Sequence, residues 1–525
     1  LQFNLFYYYS SGLYLCSRRR NLSSLLLVAA SLFGTSTVVA KEVNLSLKQA
    51  IDRALTHNIS VQNQYLSRIT DKVALEAAEQ EFEPQYLITI GDQSNSVYSS
   101  TLAQHEQNTQ TSVGGSIRLK NELGGQLELN LAQQKNEYEG FDPQYASTLT
   151  LSYKQPLLRG AGSKVAGASL RQAKWHELSQ QLRMQQFLTE VIGQVVTQYR
   201  SYQLALHAMK ISQHSFKRAQ HQVQTNSALV EAGRLSHSEY VQSRAALANQ
   251  KLALKRAENE LDQARLLLLQ ILRLEEHTNL NLTEPLAVSA PNLNLARMVT
   301  TGLKNRPDYL QAKLNVRSND LNLSVANDEQ NWDLSLNLSY QLMGSEGHFT
   351  DSLAYQGHLN QGDYSIGLQL NIPIGDKIKR QSLYNAQIAL YQSQNSLYEL
   401  ESKIRLELLN SKRNIETGWE GLQLAKSYLA LTREQLSLEQ EKLAAGLSSN
   451  FHVVSFETQL VDAENQFISA QISYLNQLTM LQAQLGTTLT AWQIKLEPES
   501  GISVNNMKAY RLTAGPHQEG GTSHE

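Results

Sequence analysis

A helix-forming run that starts at a glycine occurs twice in this chain. Reading from Gly233, GRLSHSEYVQSRAALANQKLALKRAENELDQARLLLLQIL aligns with GLSSNFHVVSFETQLVDAENQFISAQISYLNQLTMLQAQL from Gly446, a shift of 213 positions. Under that shift Leu247, Leu254, Leu261 and Leu268 fall on Leu460, Phe467, Tyr474 and Leu481. An apolar stripe every seven residues holds one helix face against other helices in a left-handed supercoil. Any Leu-rich helix can show such a stripe by chance, but chance does not also supply a shared register and a shared starting glycine.

A second pair of segments matches at a shift of 248, LSLKQAIDRALTHNISVQNQYLSRITDKVALEAAEQEFEP from Leu45 and LNLARMVTTGLKNRPDYLQAKLNVRSNDLNLSVANDEQNW from Leu293. The duplication therefore covers most of the chain. Leu47, Ile51, Ala54 and Leu55, then Ile69, Val73, Leu75 and Ala78, recur at helical spacing and predict helix from Leu45 to near Pro84.

After each of these copies the period drops to two. Leu334, Leu336, Leu338, Tyr340 and Leu342 alternate with Asp333, Ser335, Asn337, Ser339 and Gln341. Ile366, Leu368, Leu370 and Ile372 alternate with Ser365, Gly367, Gln369 and Asn371, and the first half alternates at 86–90, 117–119, 127–131 and 149–153. Apolar and small polar residues on opposite faces are the pattern of a transmembrane barrel strand. A half-buried strand of a soluble sandwich alternates in the same way; the leader and the long helices described below favour the barrel.

The strands end at Gln155-Pro156 and at Ile372-Pro373, where proline fits a strand end or a helix entry. From Gly167 to Ala232 and from Ile378 to Ala445 only isolated glycines interrupt a helical reading. Some 65 residues of helix make a rod of roughly 100 Å, too long for a compact domain. Each rod is expected to turn at its glycine and return as the heptad helix.

The N-terminal residues read as a secretory leader: Ser17 to Arg20 supply a basic region, Leu22 to Phe33 an apolar one, and Val38, Val39 and Ala40 suit cleavage before Lys41. Cys16 lies ahead of that cluster, so the processed chain has no thiol for disulfides or metal. No later stretch has the roughly 18 to 20 apolar residues of a spanning helix, so membrane residence requires a barrel. Net charge is near zero without long charged runs, and nothing suggests nucleic-acid binding.

The expected organisation is a leader at 1–40, a first repeat at 41–275 with strands at about 85–156 and a tip at 233, and a connector at 276–292. A second repeat follows at 293–490 with strands at about 333–373 and a tip at 446, then a tail at 491–525 whose Gly- and His-rich end is expected to be disordered. Pro84 to Pro156 spans 72 residues and Trp332 to Pro373 spans 41, so the first copy inserts about 31. The added hairpin, turned at Asn121 to Gly125, either enlarges the barrel or extends beyond it.

GAGSKVAG, from Gly160 to Gly167, follows a strand and opens a helix, but it has Val165 where a dinucleotide loop needs glycine and lacks Gly-Lys-Ser order. His207, His214 and His221 stand about two turns, roughly 10 Å, apart, too far to share one metal ion, and read as a solvated helix face. No paired acids, nucleophile or metal-ligand spacing suggests an enzyme, a cofactor or a metal site.

QPLLRG running from a strand into a long helix, with tips AGRLS and AGLSS, resembles the TolC-like outer-membrane efflux proteins over about residues 42–490. The resemblance implies a mixed α and β fold with internal structural duplication: a membrane β-barrel shared between protomers of a homotrimer, and a long α-helical coiled-coil barrel across the periplasm. It implies an equatorial belt near the connector, outer-membrane lipid around the barrel, and no catalysis. The function implied is an exit duct of a tripartite efflux pump or type I secretion system, served by a periplasmic adaptor and an inner-membrane transporter. By position, Gly233, Leu235, Ser236, Gly446, Leu447 and Ser448 would form the adaptor-docking tips.

Members of the best-known type carry acids six and nine positions after the second tip glycine, where this chain has His452 and Ser455; Glu239 keeps the acid six after the first. Glu239, His452 and Ser455 are therefore candidates for the periplasmic aperture, with His452 a candidate pH-dependent charge. The competing reading is a periplasmic or surface coiled-coil structural protein of adhesin-like type, which has no need of the apolar alternation at 334–342 and 366–372.

Overall fold

The computed structural model describes residues 42–99, 104–138, 142–346 and 362–494. The expected leader, with Cys16, and the expected tail beyond 494 lie outside the described residues. The first copy contains β1 (Glu42–Leu45), α1 (Leu47–His57), α2 (Ile59–Glu79), β2 (Gln85–Ser99), β3 (Gln104–Lys120), β4 (Gln126–Tyr138) and β5 (Gln144–Pro156). It continues with α3 (Ser163–Ala166), α4 (Ala168–Glu231) and α5 (His237–Leu272), followed by β6 (Asn279–Leu282). The second copy contains α6 (Leu295–Asn305), α7 (Pro307–Asp328), β7 (Asp333–Glu346), β8 (Asp363–Asn371), α8 (Lys377–Ala444), α9 (Asn450–Gln484) and α10 (Thr488–Ala491).

The single helix expected from Leu45 to Pro84 is two. Asn58 adopts an extended backbone between α1 and α2, and its side chain accepts from the Ser60 N–H at 2.8 Å. A short polar side chain satisfies the free N–H groups of a new helix start, which is why asparagine breaks the run here. In the second copy Arg306 makes the same break and Pro307 opens α7, where the missing N–H does no harm.

Strands β2-β3-β4-β5-β7-β8 form one antiparallel sheet in that order, so the two copies join where β5 pairs with β7. β1 and β6 form a separate parallel pair. The strands outrun the alternating segments: β3 begins at Gln104, far ahead of the first apolar residues that marked it. Period two decides which face a side chain takes, whereas pairing carries the strand on through polar residues.

The long helices fold back in pairs, α4 on α5 and α8 on α9, and α4 also packs on α7 and α9. Near mid-length their buried faces close two cores. One gathers Ile51, Leu188, Ile192, Tyr199, Leu268 and Leu272. The other gathers Ile404, Leu408, Ile415, Tyr474 and Leu481. Tyrosines tie the connector across both: Tyr199 Oη donates to the Leu45 carbonyl at 2.8 Å and accepts from the Glu284 N–H at 3.3 Å. Tyr474 Oη donates to the Ser289 carbonyl at 2.7 Å, and Gln203 Nε2 to the Glu284 carbonyl at 2.8 Å. Burial pushes the Tyr199 phenol up to about 12, so it stays a neutral donor across the physiological range. A non-repetitive segment laid over buried helices has backbone groups to satisfy, and these side chains satisfy them.

Candidate functional site

Both hairpins turn by the same backbone device. Gly233 has φ +67°, and the Arg234 and Gly233 N–H groups donate to the Leu229 and Val230 carbonyls at 2.8 and 2.9 Å. Gly446 has φ +74°, and Leu447 and Gly446 donate to Lys442 and Leu443 at 2.8 and 3.0 Å. This is the Schellman ending, whose left-handed residue is normally glycine. No atom lies within 4 Å of where a β-carbon would stand on either glycine, so the backbone alone requires them.

The residues beside the glycines take different tasks. Leu447 is 80% exposed, whereas Leu235 is half-buried. Ser236 caps α5, accepting from the Glu239 N–H at 3.2 Å while Glu239 Oε2 reaches back to the Ser236 N–H at 3.4 Å. Glu239 therefore has a local role as the far half of a capping box. Ser448 does not cap α9; its hydroxyl donates to the Glu439 carboxylate, which also accepts from Lys442 Nζ at 3.2 Å. That serine bond, more than the Lys442 and His452 charges, holds the Glu439 carboxyl below its usual range. His452 is exposed with its ring edge-on to Phe451 at 5.8 Å, and Ser455 is half-buried one turn on.

The two tips are tied together by residues the sequence did not mark. The start of α9 lies against α4, where Gln222 Nε2 donates to Asn450 Oδ1 at 2.8 Å and to Asn226 Oδ1 at 3.0 Å. Two turns along α9, burial raises the Glu457 carboxyl, opposed by the nearby Arg218 charge. Arg218 Nε and Nη2 are buried without a hydrogen-bond partner among the described residues. Glu439 lies seven residues before its tip glycine, a spacing that would have placed it near Ser448. The Gln222–Asn450 contact joins residues 228 apart and left no such mark.

Two earlier expectations meet their surroundings here. His214 and His221 are exposed, but His207 is half-buried, and burial together with Lys210 lowers its pKa. In the glycine loop the Gly160 N–H donates to Asp328 Oδ2 at 2.6 Å, so the chain's own carboxylate takes the place a phosphate oxygen would need.

At the far end of the rods the sheet carries apolar rows across its full width. Tyr86, Ile117, Leu129, Leu151, Tyr340 and Tyr364 stand opposite one another through six strands. Leu119, Leu127, Tyr153, Leu338 and Ile366 make the neighbouring row, and Ile88, Leu131, Leu149 and Leu342 lie in the row beyond. The other face is polar: Arg118 Nη2 meets Glu128 Oε1 at 3.4 Å, Gln110 donates to Gln134 at 3.1 Å, and Ser339 meets Ser365 at 3.1 Å. Ile88 is 79% exposed and Ile366 71%, far more than an apolar surface in water would tolerate over such a width. No helix of the described residues is long and apolar enough to cross a membrane.

Residues 299–487 match the family model described as outer membrane efflux protein. The solved outer-membrane channel OprN superposes with a TM-score of 0.63, covering 85% of this chain and 90% of that one at 14% identity. CusC, solved in a study of folding and transmembrane channel formation, gives 0.63 over 87% and 95% at 14% identity. The MtrE outer membrane channel of Neisseria gonorrhoeae, in its open state, gives 0.62 over 84% and 89% at 15% identity. No curated protein matches the chain. Along most of its length the chain therefore has the fold of these solved outer-membrane channels, and across residues 299–487 its sequence matches the outer membrane efflux protein family.

Proposed function

We propose that this chain is one third of an outer-membrane exit duct for a tripartite efflux pump or type I secretion system. Three copies pool their sheets into one β-barrel in outer-membrane lipid and their helices into one tube across the periplasm. The observation that carries this is a sheet with an apolar face, mounted directly on the long helices, whose outer strands β2 and β8 each have an unpaired edge among the described residues. An open sheet edge is not tolerated in hydrocarbon, and six strands are too few to close a membrane barrel on their own, so pairing between copies is what removes both edges. On α8, Tyr384, Tyr391 and Tyr398 recur every seven residues and are exposed in the single subunit, as are Leu424, Leu431 and Leu438. Heptad stripes left bare on one chain suit helices of the next copy. The fibre alternative leaves the lipid-suited sheet without a purpose.

Cargo would pass through water, selected by diameter and ring charge, with energy from the inner-membrane partner. The purified protein in a planar bilayer, with its mass measured in the same detergent, is expected to give a trimer with discrete conductance. A monomer without channel activity would overturn the reading. At the tips Leu447, with Gly446 and Ser448 beside it and Gly233, Leu235 and Ser236 on the neighbouring hairpin, would seat a periplasmic adaptor. Leu235→Asp combined with Leu447→Asp is expected to reduce adaptor pull-down at least tenfold while leaving trimer and conductance intact; unchanged capture refutes the docking role. Glu239, His452 and Ser455 would line the aperture beside these tips. Conductance with the same pH dependence in wild type and His452→Ala would refute His452 as a pH-dependent charge of the aperture.

A further inference from the structure

The inserted hairpin of the first copy is the feature that the duplication does not account for. β7 and β8 are two strands, whereas the corresponding stretch of the first copy supplies four. β3 and β4 do not hang from the sheet rim. β3 pairs with β2 from Gln104–Ser99 through to Arg118–Gln85, and β4 pairs with β5 from Gln126–Lys154 to Asn136–Gln144. Their apolar residues Ile117, Leu119, Leu127, Leu129 and Leu131 fall in the same rows as those of β5 and β7. On the opposite face Arg118, Glu128, Gln110 and Gln134 satisfy one another, as lumen residues do. The turn between them lies against the helix entry: Gly124 has φ +93°, its β-carbon position falls 2.5 Å from the Gly160 carbonyl oxygen, and the Gly162 N–H donates to the Leu123 carbonyl at 3.1 Å. Both strands therefore run the whole height of the sheet, from helix entry to far rim.

We infer that β3 and β4 are full staves of the pore, so that each chain contributes six strands and the barrel is wider than the duplicated plan alone would make it. The number of copies is taken from the channel reading above. Three six-stranded sectors give about eighteen strands, in the range where porins hold an open aqueous channel. Without the insertion the same three copies would give about twelve. The hairpin adds no helix, so the helical tube stays the same while the barrel widens. The duct flares outward, and its size filter lies at the helical end: the barrel is an open vestibule for bulky hydrated cargo.

Neutral polyethylene glycols of graded size, added to one side of a bilayer holding the full trimer, test this. Polymers that enter the barrel lower conductance, and the largest that does so gives the width of that mouth. The barrel-side cut-off is expected to exceed the helical-side cut-off. Deleting residues 104–138, which joins β2 to β5 through their rim loop, should lower the barrel-side cut-off severalfold in polymer mass and leave the helical-side value unchanged. A barrel-side cut-off indifferent to the deletion overturns the proposal.

A second measurement needs neither the deletion to fold nor the channel to conduct. In a Cys16→Ser background, a fluorophore on Leu129→Cys should be quenched by quencher attached to lipid chains, and one on Asn130→Cys by aqueous iodide. Iodide quenching of both places the hairpin outside the wall and refutes it as a stave. A chain that gives the lipid pattern at 129 but never conducts keeps the stave and rejects the channel reading.

Discussion

Arg68→Ala is expected to destabilise the subunit by about 3 to 5 kcal/mol, the loss typical of removing one partner from a buried ion pair. Arg68 and Glu177 are 3% and 7% exposed, on α2 and α4, and their fork is bidentate: Nη1 to Oε2 at 2.9 Å and Nη2 to Oε1 at 2.5 Å. Gln181 Nε2, at 3.2 Å, is a further donor to Glu177. Truncating the arginine leaves a desolvated carboxylate stripped of its bidentate partner, with Gln181 as a neutral donor and the Lys72 charge nearby. Replacing both, as Arg68→Met with Glu177→Leu, removes the charge together with its desolvation penalty, and is expected to cost far less than either single change. Urea unfolding of the detergent-solubilised protein, followed by helical circular dichroism, compares these variants; an Arg68→Ala loss below about 1 kcal/mol would show the pair to be a bystander.

The pH dependence of that pair has a definite sign. The Arg68 hydrogen bond holds the Glu177 carboxyl below its ordinary range. A carboxyl with a depressed folded-state pKa contributes stability that is present above the unfolded value of about 4.3 and is lost as pH falls through the folded value. The difference in stability between wild type and Glu177→Gln should be constant from neutral pH down to about 5 and shrink below 4. A gap that widens on acidification would contradict the assignment.

What could be read in the sequence depended on how local its cause was. The tip glycines, the heptad faces and the strand-ending prolines announce themselves because a left-handed φ, a seven-residue stripe and a missing N–H are properties of a few adjacent residues. The inserted alternation at 117–131 was visible, yet its place in the sheet was not, since period two does not name a partner strand. The break at Asn58 was hidden because α1 and α2 are both amphipathic and the asparagine interrupts neither stripe. At the tips the candidate positions were legible from matched motifs. Glu239's engagement with Ser236 follows a Ser-x-x-Glu capping spacing that was also readable. The Asn450, Gln222 and Arg218–Glu457 surroundings depend on helices that meet only after both hairpins have formed. Arg68 and Glu177, 109 residues apart, belong to that same class.

Gly486→Ala is expected to destabilise the protein by about 2 to 5 kcal/mol, and its counterparts elsewhere in the chain separate the two causes. Gly486 ends α9 with φ +67°, and the Gly486 and Thr487 N–H groups donate to Ala483 and Gln482, each at 3.0 Å. A β-carbon there would lie 2.6 Å from the Asn305 carbonyl oxygen and 2.9 Å from the Arg306 nitrogen. Both are backbone atoms of the turn between α6 and α7, which cannot yield as a side chain does. That turn is itself pinned, with Arg306 donating to Asp308 at 2.7 and 3.0 Å and to Glu407 at 2.7 Å. The left-handed conformation costs a non-glycine residue about 1 to 2 kcal/mol, and forcing a packed backbone aside adds about 1 to 3 more. At Gly233 and Gly446 the surroundings are open, so alanine there should incur the first cost alone. In the first copy the shift of 213 places Arg273 at the position of Gly486, and Arg273 already holds φ 52° at the end of α5. Arg273→Gly should therefore be neutral or stabilising by up to about 1 kcal/mol as the strain is relieved. Equal losses for alanine at 486 and at 233 in the same urea series would show that the left-handed backbone, and not the contact with Asn305, sets the demand for glycine.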